Sequence, residues 1–308
     1  MKVLFYGTPA FAVPTLDALI GSHQVVAVVT QPDRPAGRGQ HVTPSPVKAR
    51  ATEASLPILQ PRRLRDPEWL EPIRALEADV AVVVAYGQIL PRDILRAPAR
   101  GSINVHASLL PRYRGAAPIG WAVIRGETET GITTFQMDEG MDTGAILLQA
   151  AIPIGPGETA GELSERLALL GRRTLVETLD RLDALVPTPQ LAEAATVAPR
   201  LKKSDGEIDW SEPARVLVNR VHGCNPWPGA TTLVPTGRLT IWRARIGASH
   251  GAPAPPGTLV GSPSGLLVAA GDGTVEPVDV QLQSRRAVSW PEYLRGARLG
   301  AGDRLAQR

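Results

Sequence analysis

Residues 2–12 read Lys2-Val3-Leu4-Phe5-Tyr6-Gly7-Thr8-Pro9-Ala10-Phe11-Ala12, an apolar run broken by a turn. A run apolar at successive positions fits a strand covered on both faces, the usual state of parallel strands in α/β proteins. Gly7-Thr8-Pro9 supplies the turn, with Thr8 as N-cap and Pro9 at the first position of a helix expected over 10–21. The pattern recurs in Val25-Val26-Ala27-Val28-Val29 and in Asp79-Val80-Ala81-Val82-Val83-Val84, with helical stretches expected near 46–55, 66–76 and 91–97. Gly101 to Val105, Thr130–Met137 and Ala145–Ile152 read as further strands, and Thr159–Leu182 as a long amphipathic helix. Strands alternating with helices imply an open, mostly parallel α/β sheet with right-handed crossovers.

Beyond residue 182 the composition changes. Residues 183–200 lack firm periodicity and read as a linker. After them, Leu239–Ala244, Gly257–Val260 and Gly265–Val268 alternate between Gly and Pro punctuation, as expected of a small β-barrel or sandwich. The expected division is a catalytic domain at 1–182, a linker at 183–203 and a β domain at 204–308. The chain has 308 residues, 43% of them hydrophobic, which suits two globular domains. Its apolar start breaks at Gly7, too early for a signal peptide, and no run reaches the roughly 18 residues of a membrane span. One cysteine, Cys224, allows no internal disulfide, and five scattered histidines show no ligand spacing, so no metal is expected and the cytoplasm is the expected compartment. Net charge is +3, yet residues 201–308 hold 13 Lys and Arg against 9 Asp and Glu, an excess that hints at a polyanionic partner.

Three constellations could carry chemistry. The Gly7 turn occupies the place of a dinucleotide fingerprint but lacks its second and third glycines, so a plain strand-to-helix turn outweighs a nicotinamide site. Asn104-Val105-His106 puts an amide and an imidazole two residues apart at a strand end, on one face, where parallel-sheet enzymes place their sites. An amide can donate to an oxyanion and an imidazole can donate or shuttle a proton; a structural Asn and His fit this segment alone equally well. In Gln136-Met137-Asp138-Glu139-Gly140-Met141-Asp142-Thr143-Gly144, the glycines permit backbone angles that could bring Asp142 to His106. Its ligands are too few and wrongly spaced for an EF-hand.

Asn104-Val105-His106 with Ser108-Leu109-Leu110-Pro111, and Asp142-Thr143-Gly144, resemble the active-site signature of the formyltransferases that use 10-formyltetrahydrofolate. Within that family, Thr30–Gly39, Pro44–Lys48, Ile208-Asp209-Trp210 and Asn225-Pro226-Trp227-Pro228-Gly229 are similar to the methionyl-tRNA formyltransferases. The resemblance implies a Rossmann-like domain that binds the folate and an OB-type β-barrel that helps hold methionyl initiator tRNA. It implies that Asn104 and His106 stabilise an oxyanion while Asp142 orients His106 and assists proton transfer. It further implies a folate site formed by Gln88, Ile89, Leu90, Ser108, Leu109, Leu110, Pro111, Asp138, Glu139, Gly140 and Met141, with the pterin read largely by backbone groups. For tRNA it points to Arg34, Arg38 and Lys48, on a 31–48 connection expected to be structureless, and to Lys202 and Lys203. A monomer is expected. Glycinamide ribonucleotide and sugar-nucleotide formyltransferases, and a hydrolase acting on the same folate, would share the three polar residues. A tRNA-binding protein without chemistry would not need them.

Overall fold

The computed structural model describes residues 1–36, 41–248, 254–263 and 265–306. They form two compact units, one of Met1–Gly115, Thr130–Ile152 and Ser164–Ala198, the other of Ala116–Glu129, Pro153–Leu163 and Pro199–Arg308.

The first unit is built on β1 (Lys2–Gly7), β2 (Gln24–Val29), β5 (Ile58–Leu59), β6 (Val80–Val84), β7 (Ser102–His106), β8 (Glu129–Gln136) and β9 (Ile146–Pro153), in the order β5-β2-β1-β6-β7-β8-β9. The first five pair in parallel and β8 runs against β7, so the sheet is α/β and mostly parallel, as expected. All five residues of β6 are buried, which is why that stretch reads as an unbroken valine run. Leu4, Tyr6, Ala27, Val29, Ala81 and Val83 make one core with Leu64, Ile73, Ile94 and Leu95, contributed by the segments that cross the sheet.

Four local expectations change. The first helix opens with a 3-10 turn at Ala10–Ala12 and continues as α1 (Val13–Ser22), and no side chain caps it. Thr8 donates its hydroxyl to the Tyr86 carbonyl instead, at 3.0 Å, tying the β1 turn to the one after β6. The 31–48 connection is ordered at both described ends: β3 (Arg34–Ala36) pairs antiparallel with β4 (His41–Thr43), and α2 (Pro46–Glu53) begins at a true cap, Ser45, which accepts from Lys48 N at 3.1 Å. Helices α3 (Leu70–Arg74) and α4 (Arg92–Leu95) are shorter than their sequence windows. Residues 183–200 are bound rather than loose, since Ile146 and Thr188 exchange both backbone hydrogen bonds at 2.8 Å and Arg114 bridges to Val197.

The second unit holds α5 (Pro118–Ile124), α7 (Ala214–Gly223), α8 (Trp290–Ala297) and an antiparallel sheet. Its strands β10 (Ala230–Val234), β11 (Gly237–Ile246), β12 (Leu259–Ser262), β13 (Gly265–Ala269), β14 (Thr274–Leu282) and β15 (Val288–Ser289) run in the order β10-β11-β14-β13-β12, with β15 on β14. The sheet closes through its last residues: Ala306 bridges Leu233 on β10 while Arg304 bridges Thr258 at the start of β12, joining the two edge strands into a barrel. Trp210, Leu217, Val221, Leu239, Ile241, Val280 and Trp290 fill its core.

α6 (Ala160–Asp180) buries Leu163, Leu167, Leu170, Leu175 and Leu179 along one stripe. Thr159 and Glu162 form a capping box: Thr159 N donates to Glu162 at 2.9 Å and Glu162 N donates to the Thr159 hydroxyl at 3.3 Å. The Thr159 N–H, then Arg243 and the Thr159 hydroxyl, hold the Glu162 carboxyl down to about 2. No helix among the described residues is long and apolar enough to cross a membrane.

Thr159→Ala should cost about 1 kcal/mol in a urea melt near neutral pH. A depressed carboxyl stabilises above its unfolded value and loses that contribution as pH falls through the folded one. The stability deficit of Glu162→Gln should therefore close between pH 4.5 and about 2, as measured by melts across that window.

Candidate active site

His106 is the last residue of β7 and is 7% exposed. Its Nε2 lies 2.9 Å from the Tyr113 carbonyl; a carbonyl only accepts, so Nε2 carries a hydrogen and Nδ1 is left to face the remaining chemistry. Nδ1 faces Asp142, with Oδ2 at 3.7 Å, beyond direct hydrogen-bond reach. The same Oδ2 accepts from Gly115 N at 2.7 Å, which fixes the carboxylate. Asn104 stands two residues before His106 on the same face, half-buried, and among the described residues its side-chain amide has no hydrogen-bond partner. The structure thus brings His106 and Asp142 together from segments 36 positions apart and leaves the neighbouring amide free to bond elsewhere.

Register explains the loop that does this. β8 pairs Gln136 with Ile103, three residues behind His106, so the chain after β8 must double back about 10 Å to deliver Asp142 to the ring. Gln136 N and the Ala145 carbonyl close the base of that excursion at 2.9 Å. Asp142 itself sits at φ +54. A Cβ at Gly144 would lie 1.8 Å from the Gln136 carbonyl oxygen, so the return path admits only glycine. Asp138 accepts from Gly140 N at 3.0 Å and from the Thr143 hydroxyl at 2.6 Å, an Asx turn that shapes the tip.

The loop after β7 is equally pinned. Thr133 donates its hydroxyl to the Ser108 carbonyl at 2.7 Å and accepts from Leu110 N at 3.0 Å and Gln149 Nε2 at 2.9 Å. Ser108 is fully buried and donates to the Arg112 carbonyl, the Leu110-Pro111 bond is cis, and the Pro111 carbonyl accepts from Thr196 N at 3.3 Å. Ser108 and Leu110 therefore have their side chains buried in the turn and the core, with only their backbone left to face a ligand. Leu90, 5% exposed, belongs to the sheet core for the same reason, while Leu109 is half-buried. The Gln88 side chain braces the 61–64 segment, accepting from Leu64 N at 2.8 Å and donating to the Pro61 carbonyl at 3.1 Å, which leaves only its backbone for any ligand. Ile89 and Met141, by contrast, are 83% and 65% exposed, an unusual state for large apolar side chains flanking a polar cluster. Glu139 pairs with Arg92 at 3.0 Å and borders, with Asp138 and Gly140, a cavity of about 490 Å³ that also touches Arg96, Gly101 and Met137. Another cavity of about 470 Å³, at the amino ends of β1 and β2, touches none of these residues.

The basic residues read from sequence fare differently. Lys48 is paired with Asp33 at 2.5 Å, and with Gln60 it holds that carboxyl below its ordinary value. Arg34 is exposed and bonds Gln31 at 3.2 Å; Arg38 lies outside the described residues. Lys202 and Lys203 are exposed at the start of a 3-10 turn capped by Asp205, which accepts from Lys202 N at 2.6 Å. Among the described residues no group of three or more His, Cys, Asp or Glu could hold a metal ion. Thr133, Arg114, Gly115 and Gln190 complete the site's support and were not singled out from sequence.

The formyl transferase family model matches residues 1–179, and the model of the formyl transferase C-terminal domain matches residues 200–298. The chain belongs to the formyl transferase family. The methionyl-tRNA formyltransferases of Solibacter usitatus and Geobacter sulfurreducens are each 48% identical to it over 310 residues, covering 100% of this chain and 99% and 97% of theirs. Among solved structures, an N-formyltransferase from Helicobacter canadensis in complex with folinic acid and dTDP-3-aminofucose is similar at a TM-score of 0.67 and 17% identity, covering 90% of this chain and 98% of that one. HypX from Aquifex aeolicus in complex with tetrahydrofolic acid matches at 0.63 and 14%, covering 98% of this chain and 48% of that one. These two likenesses bear on the fold alone.

Gly144→Ala should destabilise the protein by about 1–3 kcal/mol in a denaturant melt, because the methyl group meets backbone oxygen. Gly261→Ala, where a Cβ meets nothing within 4 Å, should change it by less than about 0.5 kcal/mol.

Proposed function

We propose that this enzyme transfers the formyl group of 10-formyltetrahydrofolate to the α-amino group of methionyl initiator tRNA. The observation that carries the reading is the convergence of His106 and Asp142 beside an unpartnered Asn104 amide, in a chain 48% identical to methionyl-tRNA formyltransferases along its whole length. The folate supplies an activated formyl carbon. An amide with no hydrogen-bond partner among the described residues suits the oxygen of that carbon, whose charge grows as the amine attacks. Because Nε2 is committed to the Tyr113 carbonyl, His106 donates to the same oxygen only through Nδ1, and so only as the imidazolium. The Asp142 carboxylate, 3.7 Å from the ring, takes up the proton shed by the attacking nitrogen through a water. Carbon–nitrogen bond formation, proton loss and departure of N10 with a proton complete the exchange without a metal.

The exposed Ile89 and Met141 and the backbone of 88–90 and 138–142 offer the planar pterin apolar faces and polar edges, with Pro111 and Leu109 at the neighbouring turn. Arg34, Arg38, Lys202 and Lys203 would meet tRNA phosphates, and Lys48 would have to exchange Asp33 for one. We place the catalytic domain at 1–182, the linker at 183–203 and the tRNA-binding barrel at 204–308, in a cytoplasmic monomer.

Formyl transfer from 10-formyltetrahydrofolate to methionyl initiator tRNA, with elongator methionyl-tRNA as control, tests the assignment; equal use of both tRNAs, or formate release without an acceptor, overturns it. Asn104→Ala, His106→Ala and Asp142→Asn should each keep the fold and lose about 10²–10⁴ in kcat/KM. Near-normal turnover in any one removes that residue from the mechanism.

A further inference from the structure

We propose that Gln190 is a positioning residue for the reaction, its carboxamide clasping the loop that carries Asp142 to the loop that carries the protein partners of His106 and Asp142. The inference rests on the roles of those two residues given above.

Gln190 lies in a stretch with neither helix nor strand, yet its side chain makes four hydrogen bonds. Its Nε2 donates to the Asp142 carbonyl at 2.9 Å and to the Gly144 carbonyl at 2.8 Å. Its Oε1 accepts from Arg114 Nε at 3.0 Å and from the Arg114 terminal nitrogen at 2.7 Å. A primary amide has two donor hydrogens and two acceptor lone pairs, so every bond it can make is made. The assignment of oxygen and nitrogen is forced, because a flipped amide would set its N–H groups against a guanidinium and its oxygen against two carbonyls.

Arg114 sits between the two residues that address the site. Tyr113 before it accepts from His106 Nε2 through its carbonyl, and Gly115 after it donates to Asp142 Oδ2. The clasp closes a ring of contacts: Gln190 to the Asp142 backbone, the Asp142 carboxylate to Gly115, and Arg114 back to Gln190. Inside that ring Asp142 is kept at φ +54, in the left-handed region that residues with a Cβ adopt less readily than glycine. Without the clasp the Asp142 and Gly144 carbonyls turn to solvent and the strained residue is free to relax. Its carboxylate then drifts from the imidazole, and a misplacement of about 1 Å costs about 10² in rate.

Gln190 is not needed to hold its own segment down. The Ile146–Thr188 pair, the Arg114–Val197 bridge, and the bonds from Thr196 to Tyr113 N at 2.8 Å and to the Pro111 carbonyl fasten it on both sides. Removal of the amide should therefore disturb the Asp142 loop and leave the fold.

The test uses the full chain with 10-formyltetrahydrofolate and methionyl initiator tRNA, comparing Gln190→Ala, Gln190→Glu, Asp142→Asn and the double variant Gln190→Ala/Asp142→Asn. Gln190→Ala should lower kcat about 10²-fold with KM for both substrates within about threefold, and in the Asp142→Asn background it should change kcat by less than about threefold. Gln190→Glu keeps size and the bonds to Arg114 but loses both donors, so it should match the Ala variant even if the latter folds poorly. Near-normal kcat in Gln190→Glu, or losses that multiply in the double variant, overturns the clasp while Asp142 keeps its role. Near-normal turnover in Asp142→Asn overturns the parent reading, and this one with it.

Discussion

One antiparallel pairing sets the problem that the rest of the site solves. β8 runs against β7 with Gln136 opposite Ile103, so the carboxylate needed at the far end of β7 must be sent back along a loop. The loop can return because Gly144 passes within contact of the Gln136 carbonyl and because Asp142 accepts a left-handed backbone. Neither feature is stable alone. Each depends on a second loop, 107–115, that offers Gly115 N to the carboxylate and the Tyr113 carbonyl to the imidazole. A Cβ at Gly115, φ +117, would lie 2.7 Å from the Ala198 carbonyl oxygen, so the segment after α6 packs closely against this second loop.

That arrangement separates residues that touch chemistry from residues that make the touching possible. Thr133 bonds three groups with one hydroxyl and fixes the turn at Ser108–Leu110 without reaching the cluster. Gln88 works in the same manner on the other side, spending its whole side chain on the 61–64 backbone while its neighbour Ile89 is left 83% exposed. Against these committed side chains the Asn104 amide, without a hydrogen-bond partner among the described residues, stands out.

The fold was largely legible because the valine-rich strands announce burial on both faces, and the approach of Asp142 to His106, at 3.7 Å, because a resemblance tied the two segments together. What escaped has physical reasons. Thr8 looked like a cap because Ser, Thr and Asp precede helices so often, but its hydroxyl donates to the Tyr86 carbonyl and accepts from Gln31 N at 3.4 Å. The 31–48 connection looked structureless because three-residue strands carry too few positions to show a period. Gln190 gave no signal, since its bonds run to backbone carbonyls and to an arginine 76 positions away. For Ser108, Leu110 and Leu90 the motif names residues without saying which way their side chains face, and in the fold those side chains are buried.

The barrel of the second unit is joined by residues 302–306, which follow every strand they connect. During synthesis β10 and β12 therefore emerge with bare rims, and those rims stay open to pairing with other chains until residues 302–306 have followed them out. The nascent second unit thus passes through a window of exposure that lasts as long as the roughly 70 residues between β10 and this strip take to be made.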